Sequence, residues 1–283
     1  GMSRGLGDVY KRQVYHVAGT NFGIWGLLQG CNNLIIPEVD PGLILDLVEK
    51  ERIELTLWVP AVILFLLQHP NAEKTDFSSL KVVVYGASPI AEDTVVNAIN
   101  LMNCGFYQVY GLTETSGAIT CLISEDHDPK RNKLRSCGKA LPGVEIKVID
   151  EAGNEVDQGE VGEIITKSDL NMKGYWNNLE ATEKSIQDGW FYSGDAGFLD
   201  EEGFLYIHDR VKDMIVSGGE NIYPAEVENA LMSNEEILDA AVVGVPDDKW
   251  GESTKAFVVL SEGSTLNSEA VSYTHLRAHE TCL

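Results

Sequence analysis

The sequence has 283 residues, 44% of them hydrophobic and 23% charged, which suits one large or two modest globular domains. Asp and Glu number 44 against 21 Lys and Arg, a net charge of -23, and this argues against a nucleic-acid or anionic-membrane partner because polyanions would be repelled. Five Cys with no C-x-x-C pair argue against a zinc site or a disulfide framework and favour a reduced, cytoplasmic setting. The longest apolar run, 55–67, contains Pro60 and is shorter than the ~20 residues of a membrane-spanning helix.

The two ends share one text. A codon choice for residues 3–12 has a reverse complement that translates in frame into residues 271–280. Residues 1–13 and 271–283 therefore read as translated sequencing adapter and are set aside from the fold.

From Pro41 the chain alternates. Residues 42–50 place Leu43, Ile44, Leu47 and Val48 at helical spacing, 53–59 is short and strand-like, and 60–69 is a helix with Pro60 in its first turn. The unbroken apolar run 80–85 predicts a strand buried on both faces. Gly86-Ala87-Ser88-Pro89 breaks it, 90–102 resumes helical spacing, and 106–110 is a strand running into Gly111-Leu112-Thr113-Glu114. Such alternation predicts an α/β sheet with ligands at the carboxyl ends of its strands. Short strands at 144–150, 161–166 and 204–208, parted by Gly-rich turns, predict a small antiparallel barrel. Beyond Arg210, strands at 214–217, 239–245 and 255–260 and a helix at 224–232 predict a compact α+β lobe.

Four segments carry candidate chemistry. Tyr110-Gly111-Leu112-Thr113-Glu114 offers a ring for stacking, a Gly for close backbone approach, a hydroxyl for a phosphate and a carboxylate for Mg²⁺; a Thr-capped strand-to-helix turn explains it as well. Tyr192-Ser193-Gly194-Asp195 presents a carboxylate to a ribose diol, or is a turn preceding a strand. Arg210-Val211-Lys212-Asp213 offers a guanidinium to a phosphate or ribose oxygen, or is a solvated charge cluster. Ser217-Gly218-Gly219-Glu220-Asn221 is a flexible loop before the helix opened by Pro224, or an ordinary turn. No G-x-x-x-x-G-K-[ST] or G-x-G-x-x-G motif is present.

In combination these segments resemble the adenylate-forming (AMP-binding) superfamily, closest to fatty-acyl-CoA ligases. Tyr15-His16-Val17-Ala18-Gly19, Gly86-Ala87-Ser88-Pro89 and the stretch from Asp209 to Pro224 read like those enzymes. The resemblance implies an α/β fold of that kind: residues 14–209 form the C-terminal part of the large domain (a sheet subdomain plus the small barrel), 210–212 the hinge, and 213–270 an incomplete α+β C-terminal domain. It also implies a two-step reaction. A carboxylate attacks the α-phosphorus of ATP to give acyl-adenylate and pyrophosphate, and the thiol of CoA then attacks the acyl carbon.

By the same resemblance Gly86, Ala87 and Tyr110 sandwich adenine, Ser88 and Gly111 belong to the nucleotide-binding set, Thr113 touches phosphate, and Glu114 holds Mg²⁺. Asp195 takes the ribose hydroxyls, Arg210 sits near ribose or phosphate, Lys212 is the hinge, and Gly218, Gly219 and Glu220 line the CoA tunnel. His16 matches a histidine near the acyl pocket, or is a buried, hydrogen-bonded one, while Trp25, Trp58 and Cys104 read as core. The resemblance places the phosphate loop before His16 and a late catalytic Lys after Ala270, outside residues 14–270, so the strands flanking 80–85 are expected to be missing and that run to form a sheet edge. The alternative acceptor is a carrier-protein thiol, and a non-catalytic relative is the reading from a different class.

Overall fold

The computed structural model describes residues 4–8, 16–36, 38–88, 90–211, 214–217, 220–232, 234, 236–247, 250–261, 263, 264 and 266, and only the backbone at 4–8, 209, 210, 216, 220, 221, 225, 226 and 229. In chain order the first layer is β1 (Arg4–Asp8), α1 (Val17–Leu28), β2 (Asn32–Ile35), α2 (Pro41–Lys50), β3 (Leu55–Trp58), α3 (Pro60–Gln68), β4 (Val82–Gly86), α4 (Glu92–Met102), β5 (Gly105–Leu112), β6 (Gly117–Leu122) and β7 (Lys139–Ala140). The seven strands form one sheet in the order β2-β1-β3-β4-β5-β6-β7. The first four pairings are parallel and the last two antiparallel.

Local chemistry sets these elements. Asp40 caps α2 by accepting the Leu43 N–H at 3.0 Å, Pro41 opens that helix, and Pro60 opens α3. Asn103 ends α4 at φ 46°, a left-handed position that Asn tolerates. The inward faces of α2, α3 and α4 bury Leu45, Ile63, Leu66 and Met102 with Trp58, Tyr85 and Phe106 of the strands, so apolar burial drives the layer together.

Two expectations are corrected here. The run 80–85 is not at an edge: β4 pairs with β3 on one side and β5 on the other. Residues Arg4–Asp8, set aside on sequence grounds, fill the place between β2 and β3, since ladder pairing uses backbone groups and asks little of the side chains.

The second layer comprises β8 (Glu145–Ile149), β9 (Gly162–Lys167), α5 (Leu179–Ser185), β10 (Ile186–Gln187), β11 (Trp190–Leu199) and β12 (Leu205–Arg210). Its five strands form an antiparallel sheet in the order β10-β11-β9-β8, with β12 also on β11. Main-chain bonds dock it on the first sheet, from Cys137 N–H to Leu205 O (2.7 Å) and from Leu205 N–H to Gly138 O (2.9 Å). Lys133 adds ion pairs to Asp200 and Glu202 at 2.6 and 2.8 Å beside the Phe204 ring.

A third unit holds β13 (Ile215–Ser217), β14 (Glu220–Ile222), α6 (Pro224–Met232), β15 (Ile237–Asp247) and β16 (Gly251–Leu260), in the sheet order β14-β13-β16-β15. Val227 and Leu231 of α6 pack on Ile215, Ile237 and Val242. Ser217 faces Glu220 across the β13–β14 ladder; Gly218 and Gly219, on which the expected loop falls, lie outside the described residues. Among the described residues no helix is long and apolar enough to cross a membrane.

Candidate nucleotide site

The site lies where the carboxyl ends of β4 and β5 meet β11. β4 ends at Gly86, where a Cβ would collide with the Val109 carbonyl on β5. Ala87 follows at φ 73°, a strained left-handed position for a residue with a side chain, of the kind that clusters at ligand-holding turns. Ala87 and Ser88 are exposed.

At the end of β5 a bulge between Tyr110 and Gly111 brings Gly111 against the backbone of Gly117 on β6. The missing side chain of Gly111 thus serves strand-to-strand approach. Thr113 and Glu114 follow in a single 3-10 turn, closed by Thr115, whose buried hydroxyl accepts the Leu112 N–H at 3.0 Å and lies 2.7 Å from the Gly117 carbonyl. Neighbouring elements pin this turn: Asn21 of α1 donates to Ser116 O at 2.7 Å, Ser116 donates to Leu170 O at 2.7 Å, and Met172 N–H donates to Glu114 O at 2.6 Å.

Tyr110 and Asp195, 85 residues apart in sequence, meet across the two sheets. The Tyr110 hydroxyl donates to Asp195 Oδ2 at 2.6 Å. Asp195 is only 6% exposed, and it stands within β11 where the alternative reading put a turn before a strand. Burial, reinforced by the neighbouring carboxylate of Asp195, pushes the Tyr110 hydroxyl well above its ordinary pKa, so it stays a donor. Ser193 shapes the bend below it: its hydroxyl donates to Ile164 O at 2.6 Å and accepts the Asp195 N–H at 3.0 Å. Gly194 takes φ 70° and donates to Glu163 at 3.0 Å; burial raises the Glu163 pKa against that hydrogen bond.

Sequence reasoning missed Tyr175, whose hydroxyl donates to Glu114 Oε1 at 2.9 Å. Its one local signal is the Gly174-Tyr175-Trp176 cluster; nothing in spacing ties it to a residue 61 positions earlier. It also missed the buried group under β4. The His127 Nδ1 lies 2.8 Å from the Ile123 carbonyl and must donate to it, so Nε2 accepts from the Tyr85 hydroxyl at 2.9 Å.

Other expectations fall away. His16 is exposed, its Nδ1 3.4 Å from the Ala18 N–H at the start of α1, so the buried reading fails. Trp58 is core and the half-buried Cys104 packs against that core, but Trp25 is 48% exposed. Burial pushes the Cys104 and Cys137 thiols up to about 12, which leaves neither as a nucleophile at neutral pH. The Arg210 backbone faces Asp195 in the β11–β12 ladder. Its side chain, that of Glu220, and Lys212, Gly218 and Gly219 lie outside the described residues. A cleft of about 620 Å³ lined by Asn33, Arg52, Ser79 and Lys81 opens at the amino ends of β2–β4, the end of a parallel sheet that ligands do not favour.

The sequence profile of the AMP-binding enzymes matches residues 9–176 of this chain, more than half of it, and that of their C-terminal domain matches 226–280. The chain belongs to the AMP-binding enzyme family. Over 254 residues, 90% of its length, this AMP-binding chain is 40% identical to the medium/long-chain-fatty-acid–CoA ligase FadD8 of Mycobacterium tuberculosis. Over 218 residues, 77% of its length, it is 41% identical to the fatty acid–[acyl-carrier-protein] ligase ScoC of Streptomyces coeruleorubidus. It spans 44% and 42% of those two proteins. The amide bond synthetase McbA of Marinactinospora thermotolerans superposes on 99% of this chain, itself covered to 56%, with a TM-score of 0.88 at 33% identity.

Proposed function

We propose that the whole protein is an ATP-dependent carboxylate–CoA ligase acting on fatty acids. A carboxylate displaces pyrophosphate from the α-phosphorus of ATP, and the CoA thiolate then displaces AMP from the acyl-adenylate. The observation that carries this reading is the meeting of Tyr110 and Asp195. It brings an aromatic ring and a carboxylate side by side, which supports reading them as the adenine and ribose contacts, with Glu114 one turn beyond on the same strand end.

In this reading Gly86, Ala87 and Ser88 flank the base opposite Tyr110, and the exposed Thr113 hydroxyl meets phosphate. Among the described residues no group of three His, Cys, Asp or Glu could hold a metal ion. Mg²⁺ therefore fits as a partner of the nucleotide, with Glu114 and phosphate oxygens around it, as this cation prefers. Arg210, whose backbone lies opposite Asp195 in the ladder, is the residue we assign to ribose or phosphate. The hinge at 210–212, with Lys212 its pivot, lets the unit that follows exchange one pose for the other between half-reactions, bringing Gly218, Gly219 and Glu220 to the pantetheine arm.

The acceptor has a rival, because the chain is as similar to ScoC as to FadD8: a carrier-protein thiol would serve the same adenylate. The test is pyrophosphate exchange by the whole protein over a panel of fatty and aromatic carboxylates, followed by free CoA or a phosphopantetheinylated carrier protein. Acyl-CoA is expected. Transfer to the carrier alone would establish the rival acceptor, and absence of exchange with every carboxylate would sink the ligase reading.

A further inference from the structure

We propose that the Tyr110 hydroxyl is a positioning group: it sets the orientation in which Asp195 meets a ribose diol, and so sets the preference of the site for ribonucleotides. This rests on the reading of Asp195 as the ribose carboxylate and adds to it. The backbone around Asp195 is bent to deliver its side chain. The β9–β11 register shifts between Tyr192 and Ala196, the β11–β12 register shifts again between Ala196 and Gly197, and Gly194 takes φ 70°. Irregularities of this kind re-aim a side chain, and here they aim Asp195 at the other sheet.

The main chain at this bend is held by Ser193 and Glu163. The Tyr110 hydroxyl, 2.6 Å from Asp195 Oδ2, restrains rotation about the Asp195 side chain. A carboxylate offers about four acceptor directions, and a short donor on one of them restricts where the others point. Tyr110 is well placed for both duties, being half-buried with its hydroxyl against the buried Asp195.

A tie between two sheets would give the same bond with no bearing on the nucleotide, and the experiment separates these. In the whole protein, affinities for ATP and 2′,3′-dideoxy-ATP are measured in the wild type, Tyr110→Phe and Asp195→Asn. Tyr110→Phe keeps the ring, so it should weaken ATP about tenfold, the worth of one hydrogen bond to a charged group, and leave dideoxy-ATP within about twofold. Equal weakening of both nucleotides, or no weakening of ATP, overturns the proposal. If Asp195→Asn abolishes the ATP preference and Tyr110→Phe does not, positioning fails while the ribose reading stands. If Asp195→Asn keeps the preference, the ribose reading itself fails and the proposal with it. Should Tyr110→Phe fail to fold, 3-fluorotyrosine at position 110 keeps ring and hydroxyl while strengthening the donor. The ATP preference should then shift, and an unchanged preference overturns the proposal.

Discussion

Glu114 is held at both ends, its carbonyl by the Met172 N–H and its carboxylate by the Tyr175 hydroxyl. A carboxylate so fixed can meet a phosphate-bound cation without reorganising, which is where electrostatic stabilisation is worth most. Glu114→Gln in the whole protein should lower adenylation about a hundredfold, with the deficit largest at limiting Mg²⁺, as read by pyrophosphate exchange. Tyr175→Phe should cost about tenfold, as for a group that orients a metal ligand. Exchange at the wild-type rate in Glu114→Gln at low Mg²⁺ would take Glu114 out of the site. A second residue makes a pH-dependent claim. Burial lowers the His127 pKa below its ordinary 6.5, so the folded chain binds fewer protons there than the unfolded chain. The stability associated with His127 is complete above pH about 6.5 and is lost as pH falls from there through its folded pKa, by up to about 1.4 kcal/mol per pH unit. His127→Gln, which can still accept from Tyr85, should flatten that slope in denaturant titrations between pH 7 and pH 5 (a window of about two units). Equal slopes in the two proteins would show that His127 protonates freely in the fold. At this scale residue type and order made Tyr110, Glu114 and Asp195 legible in the sequence as candidates. Their mutual contacts, and Tyr175 and His127 with them, were not, because those depend on how the sheets pack and no local spacing encodes it.

The elements were legible wherever a physical period or a breaker was present. Helices α2 and α4 carry an apolar stripe, Pro opens α2 and α3, and an Asn stops α4; the continuous apolar run of β4 buries Val83 and Tyr85 but leaves Val82 and Val84 half-buried, so it is covered fully on one face only. Helix α1 escaped notice since its apolar residues fall on every side and leave no stripe to read. The tail strand β1 escaped for the opposite reason: its place is fixed by neighbours on both sides rather than by its own side chains. Gly111 shows how an element constrains the site. A Cβ there would sit 2.6 Å from Gly117 C and 2.8 Å from Ala118 Cα, which opens the β5–β6 pairing just before Thr113 and Glu114. Gly111→Ala should cost about 1–3 kcal/mol of stability and reduce nucleotide binding through the displaced turn, seen as a lower denaturation midpoint and weaker ATP protection. A loss in Gly111→Ala below about 0.5 kcal/mol would mean that the two strands accommodate the methyl group.

Across the whole molecule, charge and apolar surface pull in opposite directions. A net charge of -23 keeps molecules apart at low salt, but the outer surface of α1 presents Leu27 and Leu28 at 69% and 78% exposed, with Ile24 and Trp25 about half exposed. Ile35, at the end of the edge strand β2, is 67% exposed as well. Contiguous apolar surface of this kind promotes association, and an edge strand adds a ladder of unpaired backbone groups. Because Coulomb repulsion is screened over a Debye length of about 8 Å at physiological ionic strength while apolar attraction is not, the 283-residue chain should be largely monomeric in low salt and associate as salt is raised. Light scattering across a salt series gives the measurement. The double substitution Leu27→Glu with Leu28→Lys removes the two exposed leucines of α1 without changing net charge, so it should delay association and lower binding of an apolar dye severalfold, with little change in the unfolding midpoint (within about 0.5 kcal/mol, as for exposed positions). If association sets in at the same salt concentration in both proteins, α1 is not the surface responsible, and the β2 edge becomes the next to test with a charge at Ile35.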